Sequence, residues 1–160
     1  SIVDDIVSSP VIDGSTVYVA NGSGRITGLN LNSGERLWGK PFGTVGNIWP
    51  AGDSLFLVND LSQLVRMNKD NGDVIWSVQL PNFVKVNPKK SKEVVAHFGP
   101  IIAGSKIVLI SSDEKLRVYD PQDGSIISKI EIPGGATSNP VIANNVLYFV
   151  SRKGDLHAFR

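Results

Sequence analysis

A chain of 160 residues that is 41% hydrophobic has the length and composition of one globular domain. Sixteen basic residues against fifteen acidic ones leave a net charge of +1, so no global field steers it to nucleic acid or to an anionic membrane. Without a cysteine, disulfides, thiolate metal sites and cysteine nucleophiles are excluded, and no run reaches the ~18 apolar residues of a spanning helix.

Taken in order, the elements repeat. Ser1–Val7 reads as a loop entering the first unit. That unit runs Pro10-Val11-Ile12, turn Asp13-Gly14, strand Thr16–Ala20, turn Asn21–Gly24, strand Arg25–Leu31, turn Asn32–Gly34 and strand Glu35–Lys40. The second has turn Gly52-Asp53 and strands Ser54–Val58, Gln63–Asn68 and Asp73–Leu80, with turn Lys69–Gly72 before the last. Pro81–Glu93 is an insertion with two prolines and Lys85, Lys89, Lys90 and Lys92, expected as a solvated basic loop on one rim. The third unit has Pro100-Ile101-Ile102, turn Gly104-Ser105, strands Lys106–Ser111, Lys115–Asp120 and Ser125–Ile132, and turn Pro121–Gly124. The fourth has Pro140-Val141-Ile142, turn Asn144-Asn145, strand Val146–Val150, turn Ser151–Gly154 and strand Asp155–Phe159, with no further strand after it. The units span about 8–42, 47–80, 97–132 and 137–160.

One motif fixes the register of the repeat. Gly28–Trp38 reads G-L-N-L-N-S-G-E-R-L-W, and Arg66–Trp76 repeats the frame as R-M-N-K-D-N-G-D-V-I-W. A weaker copy, V-Y-D-P-Q-D-G-S-I-I-S, runs from Val118 to Ser128. Asn30, Asn68 and Asp120 are placed to bond local backbone amides, and Gly34 and Gly72 to accept the turn's positive φ. Trp38 and Trp76 then stand at one point of equivalent strands, where a flat ring covers a neighbouring unit. These seven residues are expected to be buried and to carry architecture rather than chemistry.

Strands of five to seven residues, four to each ~40-residue unit, indicate an all-β chain built as β-propeller blades. Segments such as Ser-Leu-Phe-Leu-Val and Lys-Ile-Val-Leu-Ile are apolar on both faces, as in a sheet covered on both sides. A sandwich would show one polar face per strand. The expectation is therefore a fragment of about four four-stranded blades, the last without its outer strand. Such a fragment leaves apolar end faces, so it is expected to associate with a missing half or with a second copy.

The frame Gly28-x-Asn30-x-x-x-Gly34-x-x-x-Trp38, with its second copy, resembles the tryptophan-docking repeat of PQQ-type propellers. The order of features resembles the C-terminal half of the BamB family of outer-membrane assembly lipoproteins. It is carried by Asp5-Ile-Val-Ser-Ser-Pro-Val-Ile-Asp-Gly14, Gly52-Asp-Ser-Leu-Phe-Leu-Val58, the basic proline loop after Leu80, Gly99-Pro-Ile-Ile-Ala-Gly104 and Gly154-Asp-Leu-His-Ala-Phe159. The resemblance implies an eight-bladed ring on the periplasmic side of the outer membrane, held by a lipid anchor outside this piece. It also implies a non-enzymatic scaffold that holds the β-barrel assembly (BAM) complex together, with the barrel component BamA as partner and unfolded outer-membrane proteins as a further class of ligand. The family's acidic D-x-D before the blade entry corresponds here to Asp5-Ile6-Val7, where Asp5 matches and Val7 departs from the second acid. Asp4, Asp5, Lys85, Lys89, Lys90 and Lys92 are the candidate partner-binding residues.

Two alternatives belong to other classes. A PQQ-dependent quinoprotein dehydrogenase uses the same repeat, but its site resembles a cysteine pair against the quinone with carboxylates on calcium. This chain has no cysteine and its acids are scattered singly. A wall- or carbohydrate-binding propeller would show rim aromatics, for which Phe42, Phe83 and Phe98 are the candidates, each near a blade junction. His97 and His157 have no metal-ligand spacing, and His157 is expected to contact a neighbouring blade. No Gly-x-Ser-x-Gly elbow or helix-opening phosphate loop occurs. Neither catalytic residues, a cofactor nor a nucleic-acid partner is therefore expected.

Overall fold

The computed structural model of the chain describes residues 8–21, 24–44, 46–84 and 93–160. All regular elements among them are strands, arranged in five sheets. The chain divides after Val78 into two compact units.

The first unit contains two sheets whose strands neighbour one another in chain order. The first sheet is β1 (Val11–Asp13), β2 (Thr16–Asn21), β3 (Arg25–Asn30) and β4 (Arg36–Lys40). The second is β5 (Trp49–Ala51), β6 (Ser54–Val58), β7 (Gln63–Asn68) and β8 (Val74–Gln79). Strand β5 contains Pro50, which cannot donate to a ladder and is tolerated because β5 is an edge. The first hairpin turns at Gly14-Ser15, one residue beyond the expected Asp13-Gly14. Asp13 pairs with Thr16 as the last residue of β1, and Gly14 takes the left-handed φ of +58°.

The core of this unit lies between the two sheets. Tyr18, Ala20, Ile26 and Trp38 meet Leu55, Leu57, Val65 and Met67, with Ile48 from the connection. Tyr18 and Ala20 alternate on β2, and Leu55 and Leu57 on β6, so each strand commits one face to the shared core.

The second unit begins with a two-stranded ribbon, β9 (Phe83–Val84) against β10 (Glu93–Val94). The insertion expected as a loop is therefore a hairpin at its base. Val95 donates to the Asn82 carbonyl at 3.0 Å, and the buried Leu80 and Val95 anchor the root. A four-stranded sheet follows: β11 (His97–Ala103), β12 (Lys106–Ser111), β13 (Lys115–Tyr119) and β14 (Ile126–Glu131). The last sheet has three strands, β15 (Val141–Ala143), β16 (Val146–Val150) and β17 (Leu156–Phe159).

Two-sided burial holds along β6, which is buried throughout, and along β12 from Ile107 to Ser111. It fails at the outer strand β14 and the edge strand β15, where every residue is exposed. A central strand has neighbours on both sides and on both faces. An edge strand lacks one of these, and β14 also carries Ser128 where the earlier copies carry tryptophan.

Candidate interaction surface

The docking turn is built on one plan three times. The Asn30 side-chain oxygen accepts the amides of Asn32 and Ser33, each at 2.9 Å, while Gly34 N–H donates to the Asn30 carbonyl. Asn68 accepts Asp70 at 2.8 Å and Asn71 at 3.2 Å, and Asp120 accepts Gln122 at 2.8 Å. In each copy the Asn or Asp N–H donates to the carbonyl of the residue just before the following strand, Glu35, Asp73 or Ser125.

Trp38 connects one copy to the next. Its Nε1 donates to the Lys69 carbonyl at 3.0 Å, and its ring lies between Gly28 of its own sheet and Gly72 of the second. Lys40–Asp73 and Lys69–Asp13 ion pairs, both 2.7 Å, flank the contact. Hydrogen bonding to Asp13 raises the Lys69 ammonium above its ordinary pKa. Gly72 is buried, whereas the equivalent Gly34 is exposed, because no group lies within 4 Å of the position its Cβ would take. Asn30, Asn68 and Asp120 are half-buried rather than buried, since their side chains cap turns at the rim. Trp76 is also half-buried, with its ring 6.2 Å from Phe56 of its own sheet.

At the opposite ends of the strands, the β2–β3-type turns and the connections between sheets form a hydrogen-bonded rim. Asp60 N–H donates to the Gly43 carbonyl at 3.0 Å, and Gly43 N–H returns a bond to the Asp60 carboxylate at 3.2 Å. In the second unit Gly134 N–H donates to Glu114 Oε1 at 3.1 Å and Ala136 N–H to the Ser111 carbonyl at 3.1 Å. Arg152 pairs with Glu93 at 2.7 Å and, with Ser112, Asp113 and Glu114, lines a polar hollow of about 190 Å³. Connections fastened this way present a fixed surface. An open groove of about 470 Å³ follows β1 and β5 in the first unit, with Ile12 and Trp49 in its wall.

Asp4, Asp5, Lys85, Lys89, Lys90 and Lys92, the expected contact residues, all lie outside the described residues. Glu93, at the end of the insertion, is on the rim beside Arg152. Of the three phenylalanines, Phe42 packs against the first unit's core, Phe98 is half-buried and Phe83 is 54% exposed.

A serine, a histidine and an aspartate do come together in the third sheet. His97 Nδ1 lies 2.8 Å from Ser111 Oγ, and Arg117 binds Ser111 Oγ at 3.1 Å and Asp113 Oδ1 at 3.0 Å. This is not a nucleophilic triad. Ser111 is fully buried, Asp113 is clamped by Arg117 instead of orienting the histidine, and His97 Nε2 is capped by the Pro81 carbonyl at 3.0 Å. The sequence held one signal for this cluster, a charged Arg117 inside the apolar run Leu116–Tyr119. Pattern reading could not pair it with Asp113 across the turn. His157 stacks on Phe149 of its own sheet, centroids 5.0 Å apart, so the contact shown is with a neighbouring strand rather than a neighbouring blade. Among the described residues no three His, Asp or Glu side chains cluster to hold a metal, and no helix is long and apolar enough to cross a membrane.

Antiparallel sheets repeated along the chain, the first two joined by a docking tryptophan, define the class: the chain is a fragment of a PQQ-repeat β-propeller. Within that class it is BamB-like. The profile of the family described as "Outer membrane protein assembly factor BamB" matches residues 1–78. The BamB of Shewanella oneidensis is 26% identical over 154 residues, covering 95% of this chain and 36% of that protein. The crystal structure of BamB from Moraxella catarrhalis superposes with a TM-score of 0.80 at 19% identity, over 98% of this chain and 45% of that one. A quinohemoprotein alcohol dehydrogenase from Comamonas testosteroni shares the fold at a TM-score of 0.68 and 10% identity, over 91% of this chain and 29% of that one. The chain spans little more than a third of the length of the curated relatives it matches.

Proposed function

We propose that this chain is part of a non-enzymatic scaffold that assists the assembly of β-barrel proteins into the outer membrane, acting from the periplasmic side. The single observation that carries the reading is the BamB likeness across 95% of the chain, in a protein whose relatives are named for that role. The structure fits such work. Its turns and connections are tied by backbone and carboxylate bonds into a rim that offers a preformed contact surface. Loop contacts to the barrel component, through Asp4, Asp5 and the lysines of residues 85–92, are the proposed means of binding. Strand addition of an unfolded β-segment to a sheet edge is a second means.

The quinoprotein alternative needs residues that this chain does not supply. Its sequence contains no cysteine, and its described acidic residues form no ligand cluster. The residues present do not fit that group.

The test is co-purification of the barrel component with the intact protein carrying wild-type Asp5 or Asp5→Lys, alongside the abundance of folded outer-membrane porins in cells lacking the protein. Co-purification with the wild-type protein, together with lower porin levels in cells lacking it, supports the scaffold. Unchanged porin levels together with no co-purification would overturn it. Unchanged binding by a folded Asp5→Lys protein would reject Asp5 as a contact while leaving the scaffold reading intact.

A further inference from the structure

The root of the β9–β10 hairpin is tied to the third sheet through one continuous chain of side chains. It runs from the Pro81 carbonyl to His97 Nε2 (3.0 Å), from His97 Nδ1 to Ser111 Oγ (2.8 Å), from Ser111 Oγ to Arg117 Nη1 (3.1 Å), and from Arg117 to the Asp113 carboxylate. Around it the backbone is fastened at the same place. Ala96 N–H donates to Ser112 Oγ and Ser112 N–H to the Ala96 carbonyl, each at 2.9 Å, and Val95 N–H reaches the Asn82 carbonyl at 3.0 Å.

With the imidazole neutral, donors and acceptors in this chain fit only one way. A carbonyl oxygen accepts and never donates, so the bond to Pro81 places the imidazole hydrogen on Nε2. Nδ1 is then an acceptor and takes the Ser111 hydroxyl hydrogen. The Ser111 oxygen in turn accepts from Arg117, which is always charged and also binds the Asp113 carboxylate. In this arrangement the neutral imidazole is paired at both ring nitrogens.

We propose that His97 is a pH-operated fastener, holding the β9–β10 hairpin root against the third sheet when neutral and releasing it when protonated. A second ring proton at Nδ1 faces Ser111 Oγ, which would have to give up its own donated bond and turn its hydrogen away. Ser111 has no exposed surface, so no solvent is available to receive that hydrogen. The charged groups facing the ring among the described residues are Arg117 and Asp113. Arg117 repels an imidazolium, and Asp113, which would attract one, is already neutralised by Arg117. The segment from Gln79 to Val84 contributes no ionisable side chain.

The direction of titration agrees. Burial first, and Arg117 after it, hold the His97 pKa below the ordinary imidazole value despite the opposing pull of the Pro81 carbonyl and Asp113. A histidine depressed in the folded state binds its proton more weakly there than when released. The tie is therefore fully present above the ordinary imidazole pKa of about 6.5 and is lost as pH falls through the lower folded value.

The experiment is residue-resolved amide exchange on the full chain at pH 7.5 and pH 5.0, each corrected for intrinsic rates, with an NMR titration of the His97 ring. The Val95 and Ala96 amides should lose at least tenfold more protection at low pH than Leu109 and Ile110 in the centre of the sheet. That loss should follow the His97 titration. His97→Gln offers the same donor and acceptor without a titratable proton, and should keep both amides protected at both pH values. Equal protection of Val95 and Ala96 at the two pH values in the wild-type chain would overturn the proposal. So would a loss whose midpoint departs from that of His97, a measurement that stands even if the glutamine variant fails to fold.

Discussion

A methyl group on Gly72 would stand 2.6 Å from Cε3 of Trp38, closer than any real carbon contact allows. The two residues are thirty-four positions apart and in different sheets, yet the glycine is flat-faced because the tryptophan rests on it. That contact joins the first two sheets into one core.

Trp38→Ala should therefore destabilise the first unit by about 3–5 kcal/mol, the usual loss for a buried tryptophan, read as a lower denaturant midpoint. Gly72→Ala should cost at least ~2 kcal/mol, from its left-handed φ of +74° and the collision together. In the Trp38→Ala background the ring collision is gone and the conformational part remains, about 1 kcal/mol, since the other close group, the end of the flexible Lys40 side chain at 2.9 Å, can swing aside. A double-mutant cycle showing additive costs would disprove the docking contact.

The capping side chain of the turn can be tested apart from the ring. Asn68→Ala removes the acceptor for two amides and should cost about 1–2 kcal/mol in thermal or chemical unfolding. Asn68→Asp should be close to neutral, since Asp120 plays the same part in the third sheet.

Arg117 and Asp113 form a pair whose side chains are only 5% and 10% exposed. Asp113→Ala would leave a buried guanidinium uncompensated, with an expected loss of about 3–5 kcal/mol. Replacing both, as Arg117→Met with Asp113→Leu, should recover most of that loss. If the double variant is as unstable as the single, the charge is not the cause.

Four equivalent turns place one residue at positive φ: Gly24, Ser62, Glu114 and Gly154. Gly154→Ala meets no atom within 4 Å, so its cost should be conformational alone, about 1 kcal/mol. Ser62→Gly relieves the same strain while freeing the unfolded chain, and should shift stability by less than ~1 kcal/mol in either direction. A large loss at Ser62 would mean that its side chain matters to the rim.

The sequence by itself determined the all-β class, the four-fold repeat and the docking turns, because these are local. An Asn or Asp four residues before a glycine bonds its own neighbours, and a two-residue hairpin needs its positive φ wherever the chain goes next. Strands of apolar residues at fixed spacing reveal themselves through periodicity alone. Only the tertiary structure decided that Gly72 is covered and Gly34 is not, that β14 is exposed along its length, and that the Trp38 indole reaches the Lys69 carbonyl. Each of these depends on which element lies against which, and burial and charge pairing are properties of two surfaces meeting, which no single stretch of sequence contains.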